Sequence, residues 1–291
     1  MSAIVERSDA APPLASKSAA WQRLWRDGAC VAGATCLALL VLTAAFAPAI
    51  APYDPLRVSM RERLQRPSVR HILGTDQFGR DILSRIVYGT RVSLSVGLIS
   101  VGIGLGIGAT LGLIAGFFRR ADYPIVALMD VLLSFPQILL AIAIVAALGP
   151  GIFNAMIAVG IGTIPGFTRL SRSSTLSIRE RDYVEAARAL GAGSVRILGR
   201  HILPNAAAPL IVVSTLSMAG AILSAAILSF LGLGARPPMP EWGAMAAEGR
   251  GLIAQYPHVS TFPSMAIFVV VLAFNLLGDG MRDALDPQLG E

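Results

Sequence analysis

Few residues in this chain are equipped for chemistry, and their types and positions exclude more than they offer. Nucleotide hydrolysis on a glycine-rich loop needs a Gly-Lys-Ser/Thr step, because a lysine must reach the terminal phosphates. Lys17 is the only lysine among 24 basic residues, and it follows Ser16 in a tail of small and polar residues. The chain therefore lacks that phosphate-binding step, and any ATP-driven work must be done on another polypeptide. His71, His201 and His258 are scattered over three loops, without metal-ligand spacing. Cys30 and Cys36 lie six apart in one apolar run, on roughly opposite faces of a helix turning about 100° per residue. They read as small apolar fillers, and no metal or cofactor is expected.

Two groups of residues inside apolar runs stand out. Gly104, Gly108, Gly112 and Gly116 recur every four positions, so they share one helix face. A phosphate-binding reading fails because the glycines lack a strand–turn–helix context. A bare backbone there lets another helix approach closely, which is how helices associate in lipid. Asp130 is the second. An ionisable group at membrane depth is a functional-site hypothesis by default, against the plainer reading of a buried partner for an arginine or a polar side chain near the helix start. Pro136 and Gln137 follow it. Pro136 should interrupt the helix and free a carbonyl, marking a hinge or a pathway wall, and Pro165 allows the same reading.

The richest polar segment runs from Ser171 to Asn205 and is dense in arginine. Its centre, Asp182 to Leu190, reads as a helix. Asp182 can cap it, with Glu185 three residues on. Ala186, Ala187 and Ala189 favour helix, and Gly191 and Gly193 can end it. Tyr183, Ala187 and Leu190 share a face. Such a helix either fits a groove on a soluble partner and passes on its movement, or merely connects two spans.

The elements that must hold these residues are membrane helices. The chain of 291 residues is 54% hydrophobic and 14% charged, with mean hydropathy +0.66; soluble domains carry roughly 25% charged residues. Six apolar runs are long enough to span a bilayer: Gly28–Ala51, Val92–Phe118, Ile125–Leu148, Ile152–Leu170, Ala206–Leu233 and Phe262–Leu277. The first is too long for a signal-peptide core and reads as a retained helix. Before it lie a tail expected to be disordered and an interfacial stretch from Trp21 to Asp27. The net charge of +6 fits arginines at headgroups, not nucleic acid. Arg119, Arg120 and the arginines of 171–204 put those loops in the cytoplasm, and with them both termini. One segment disagrees: 52–91, assigned outside, holds Arg57, Arg61, Arg63, Arg66, Arg70, Arg80, Arg85 and Arg91. Long loops cross with less regard to charge. The expected division is a tail at 1–27, a helix at 28–51, an outer loop at 52–91, a core at 92–278 and a tail at 279–291.

Glu185-Ala186-Ala187, then Gly191, then Ile202-Leu203-Pro204 resemble the EAA motif of binding-protein-dependent ABC importer permeases, with His201 where an apolar residue is usual. In that family the helix docks onto the ATPase subunit, and the resemblance implies that role here. His71 to Leu94, Asp130 to Ile142, Ser229 to Met245 and Gly278 to Pro287 are similar to C-type subunits of dipeptide and oligopeptide permeases, whose branch also carries metal chelates. The resemblance implies an all-α integral membrane protein with the six-helix type I importer fold. It further implies a second homologous permease, two ATP-binding subunits and an extracytoplasmic binding protein.

An ion-coupled secondary transporter is the alternative, but matched broken helices in inverted repeats are not visible. An intramembrane protease pairing Asp130 with Asp279 is a third reading. The constrained outer loop around Pro237, Pro238, Pro240, Glu241 and Trp242 is either a docking or gating element or a rigid cap.

Overall fold

The structure, a computed structural model, describes residues 27–285. The expectations for the N-terminal tail, for most of the interfacial stretch after it and for the last six residues lie outside that range. Within it the chain is helical, and an antiparallel bridge between Thr75 and Asp81 is the β pairing among the described residues.

Helix α1 (Gly28–Ala45) opens on Asp27, whose carboxylate accepts from the Ala29 amide. A short α2 (Ala47–Ile50) follows it. Helix α3 (Ile82–Phe117) begins well before the apolar run from Val92 that was expected to start the second span. Asp81 caps it by accepting from the Ser84 amide at 2.8 Å and the Ser84 hydroxyl at 2.7 Å. A helix of 36 residues is about 54 Å long at 1.5 Å per residue, so it outreaches the bilayer. Its polar first turns stand outside the apolar slab, beyond the reach of a hydropathy argument.

The run expected as one third span is two helices, α4 (Arg119–Leu133) and α5 (Gln137–Leu148), bent by 90°. Pro136 caps α5, and its missing N–H stops the ladder from α4. Helix α6 (Ile152–Arg179) continues through Pro165 into the arginine-rich segment. Helix α7 (Asp182–Ala189) follows, then α8 (Ser194–Ile197), a π turn (Leu198–Ile202) and α9 (Leu203–Phe230). Helices α10 (Trp242–Gly249) and α11 (His258–Leu285) follow.

Four helical stretches among the described residues are long and apolar enough to cross a membrane, or five if α4 and α5 form one broken span. They are α1, α3, the continuous Ser194–Phe230 stretch and α11. Helix α6 is not among them, because its second half carries Arg169, Arg172 and Arg179.

Helices α3 and α6 form the spine. A Cβ built on Gly104 would meet Thr163 Oγ1, one on Gly108 would lie 2.6 Å from the Ile164 carbonyl oxygen, and one on Gly116 would lie 2.6 Å from Thr175 Cβ. The two backbones are thus as close as side-chain-free surfaces permit. Ser100 Oγ donates to the Met156 carbonyl at 3.0 Å, and Ser171 Oγ donates to the Ala109 carbonyl at 2.8 Å. Arg179 donates to the Gly116 carbonyl at 2.7 Å, satisfying an orphan acceptor near the end of α3.

Candidate functional site

Helix α7 is held at one end of the spine by a single deep anchor. Val184 is fully buried, in one apolar cluster with Ile178, Ile197, Ile202 and Ala206. The rest of the helix faces outward. Glu185, Ala186 and Gly191 are exposed, Ala187 is half-buried, and Tyr183 and Leu190 are 43% and 88% exposed. Val195 on α8 is equally uncovered. Small and apolar side chains on one exposed surface are what a helix presents to a partner's groove.

The ends of α7 differ from the capping-box expectation. Asp182 is the first helical residue, and the cap position is Arg181, which makes no side-chain capping bond. Asp182 and Glu185 instead sit in the first turn, with Arg188 in the last, each complementing the helix dipole. The C-terminus follows the glycine rule. Gly191 has φ +83°, donates to Arg188 and is followed by Ala192, which donates to Ala187, both at 3.0 Å. This pair is a Schellman closure, and it requires the left-handed residue that glycine supplies most cheaply.

The motif's second half lies on the return path. Ile202 is buried, while Leu203 and Pro204 are exposed at the start of α9. The π turn ends with the Leu203 amide donating to the Leu198 carbonyl. Pro204 has no N–H to offer a regular ladder. A widened turn of this kind is a common feature of functional sites. His201 lies 6.3 Å from the Tyr183 ring, centroid to centroid, so the motif's unusual residue packs beside α7.

Asp130 does partner an arginine, as the plainer reading held, but the pair is not buried. Its Oδ1 accepts from Arg169 Nη2 at 2.7 Å, and both side chains are more than half exposed. Asp130 therefore faces a guanidinium rather than the second acid that a protease would need. Gln137 packs on α6, where a Cβ on Gly162 would lie 3.0 Å from its Cγ.

The feature missed from sequence joins the 52–91 segment to α10. Arg80 and Arg85, two of the arginines that opposed the topology, are 3% and 1% exposed. Arg80 donates to Asp76 and to Glu248, each at 2.6 Å. Arg85 donates to Asp76 and, at 2.9 Å, to Glu248. Arg91 donates to the carbonyls of Ala44 and Ala45, closing the end of α1. The loop's charge is thus partly consumed internally. The hint in the sequence was positive charge in a loop expected outside; Glu248 is too distant along the chain to be paired by inspection.

Helix α10 is tied to the same cluster through Glu248. Trp242 is 1% exposed and donates to the Ile86 carbonyl at 3.1 Å. Glu241 caps α10 by accepting from Gly243 and Ala244 at 2.9 and 2.8 Å. Burial pushes its carboxyl above the usual range, partly offset by these bonds. The loop is held by the buried Glu241 and Trp242, while Pro237 and Pro238 are exposed and Pro240 is half-buried. Among the described residues no group of three or more His, Cys, Asp or Glu is set to hold a metal.

The family described as binding-protein-dependent transport system inner membrane component matches residues 108–291. The chain belongs to that family. The N-terminal TM domain of oligopeptide transport permease C matches residues 18–67 of the permease. A glutathione transport system permease protein, GsiD of Pectobacterium atrosepticum, is 50% identical over 271 residues, covering 92% of this permease and 90% of that protein. A dipeptide transport system permease protein, DppC of Alkalihalophilus pseudofirmus, is 48% identical over 271 residues, covering 93% and 89%. In fold the permease is similar to an inward-facing structure of the MetNI methionine ABC transporter, with TM-score 0.59, 21% identity and coverage of 70% and 97%. It is a multi-pass component of the inner membrane, and ion-coupled secondary transport is not favoured.

Proposed function

We propose that this permease is the C-type membrane subunit of a type I importer that carries short peptides inward. A second homologous permease completes the pathway, two separate ATP-binding subunits supply the work, and an extracytoplasmic binding protein delivers the solute. The observation that carries the reading is identity near one half, across nine-tenths of the chain, to permeases named for glutathione and for dipeptides.

In this reading six segments cross the membrane, with α4–α5 as one broken span and α6 as another. The apolar first half of α6 lies against the glycine face of α3, where its later arginines can reach the cytoplasmic surface. Both termini are then cytoplasmic. Glu185, Ala186, Ala187 and Gly191 form the docking surface for an ATPase, and Ile202, Leu203 and Pro204 pass its displacement into α9. The exposure of Tyr183, Leu190 and Val195 supports this, because a solvated connector has no use for three uncovered apolar side chains.

Uptake of a labelled tripeptide by cells lacking this gene, with and without the restored chain, tests the substrate class. The expected result is restored uptake that excess unlabelled di- and tripeptides suppress and free amino acids do not. Restored uptake insensitive to peptides would overturn the assignment.

A further inference from the structure

Segment 52–91 carries more positive charge than its own acids absorb. Its four acids, Asp54, Glu62, Asp76 and Asp81, are all engaged. Asp54 accepts from the Leu56 amide at 2.8 Å, and Glu62 accepts from Arg70 at 2.7 Å. Asp76 holds Arg80 and Arg85, and Asp81 holds Ser84 and His71 Nδ1, the last at 2.9 Å. Arg57, Arg61, Arg63 and Arg66 are exposed, and among the described residues their side chains have no hydrogen bond or ion pair. Apolar side chains stand uncovered in the same segment. Val58 and Met60 are each 58% exposed, Ile72 is 61% exposed and Val69 is fully exposed. Arginine and methionine without lysine is the composition of a protein interface.

The surface is also preformed. The Leu64 amide donates to the Asp76 carbonyl and the Thr75 amide to the Gln65 carbonyl, both at 3.0 Å. The Tyr53 hydroxyl donates to the Arg70 carbonyl at 2.9 Å. Asp81, which holds His71 and caps α3, fixes the segment to the spine. A patch already ordered loses little entropy on docking. Between Ala51 and Ile82 the helical structure is one three-residue turn, Met60–Glu62. The segment therefore has no amphipathic helix to lie among lipid headgroups.

We infer that the exposed face of segment 52–78 docks the extracytoplasmic binding protein through a carboxylate-rich patch on that protein. The four unpaired arginines steer the encounter, and the uncovered apolar side chains slow the departure. Such a role accounts for arginines kept in a loop whose orientation disfavours them. The proposal rests on the reading above, which places this segment outside and gives delivery to a binding protein.

The test measures association of the system's binding protein with the assembled transporter in nanodiscs of zwitterionic lipid. Replacing Arg57, Arg61, Arg63 and Arg66 together by glutamate should lower the on-rate at least about tenfold at low salt. The dependence of that rate on salt should flatten as well. Val69→Asp, at a fully exposed position, should leave assembly intact and raise the off-rate about tenfold. Association unchanged in both variants would overturn the proposal alone. An on-rate loss confined to discs that contain anionic lipid would assign the arginines to headgroups, and would overturn it too. A binding protein that ignores the unaltered transporter would sink the delivery reading and the proposal with it.

Discussion

Single residues in this permease act mostly through geometry, and the charge state of Glu241 bears on stability as well. Its carboxyl caps α10 from a nearly closed site, and burial raises its pKa above the ordinary 4.5. A raised acid holds its proton longer in the folded state than in the unfolded one. The stability it contributes is complete below the unfolded value and is lost as pH rises through the folded one. Thermal unfolding of the assembled transporter in nanodiscs, followed upward from about pH 4.5, should show that decline. Glu241→Gln should remove it, and an unchanged slope would deny Glu241 the role. At the same scale, Gly191 was legible because left-handed helix ends favour glycine. The cap of α7 was misread: Asp182 and Glu185 have the spacing of a capping box, but the helix begins one residue earlier than that pattern requires.

At the scale of elements, helix type was legible wherever apolar runs were long, and boundaries failed where helices leave the bilayer. The glycine spacing of α3 was visible, but its start at Ile82 was not, because the first turns are polar. The 90° bend between α4 and α5 was foreshadowed by Pro136 alone, and the sequence does not encode an angle. The cluster of Asp76, Arg80, Arg85 and Glu248 joins residues too far apart for spacing to reveal. Helix α7 stood out because it is a polar island in an apolar chain. Its exposed Leu190 gives a direct prediction. Leu190→Asp should remove apolar contact worth about 2 kcal/mol, enough to weaken association with the ATPase roughly thirtyfold. Co-purification at limiting concentration reads this, and undiminished recovery of the ATPase would remove α7 from the interface.

At the scale of the whole molecule, the spine of α3 and α6 adjoins the exposed surface of α7 that the proposed function gives to a partner. Helices α3 and α6 are locked by bare glycine faces and crossed hydrogen bonds, so in the proposed reading a push on α7 would have a stiff element to act through. Helix α10, tied by buried charge and Trp242, is fixed to the same spine. The central claim is that this push originates in another polypeptide. Peptide accumulation in proteoliposomes holding this chain, its partner permease and the binding protein, with ATP enclosed, measures it directly. Accumulation against a gradient should appear only when the ATP-binding subunits are included, and uphill accumulation in their absence would contradict the account.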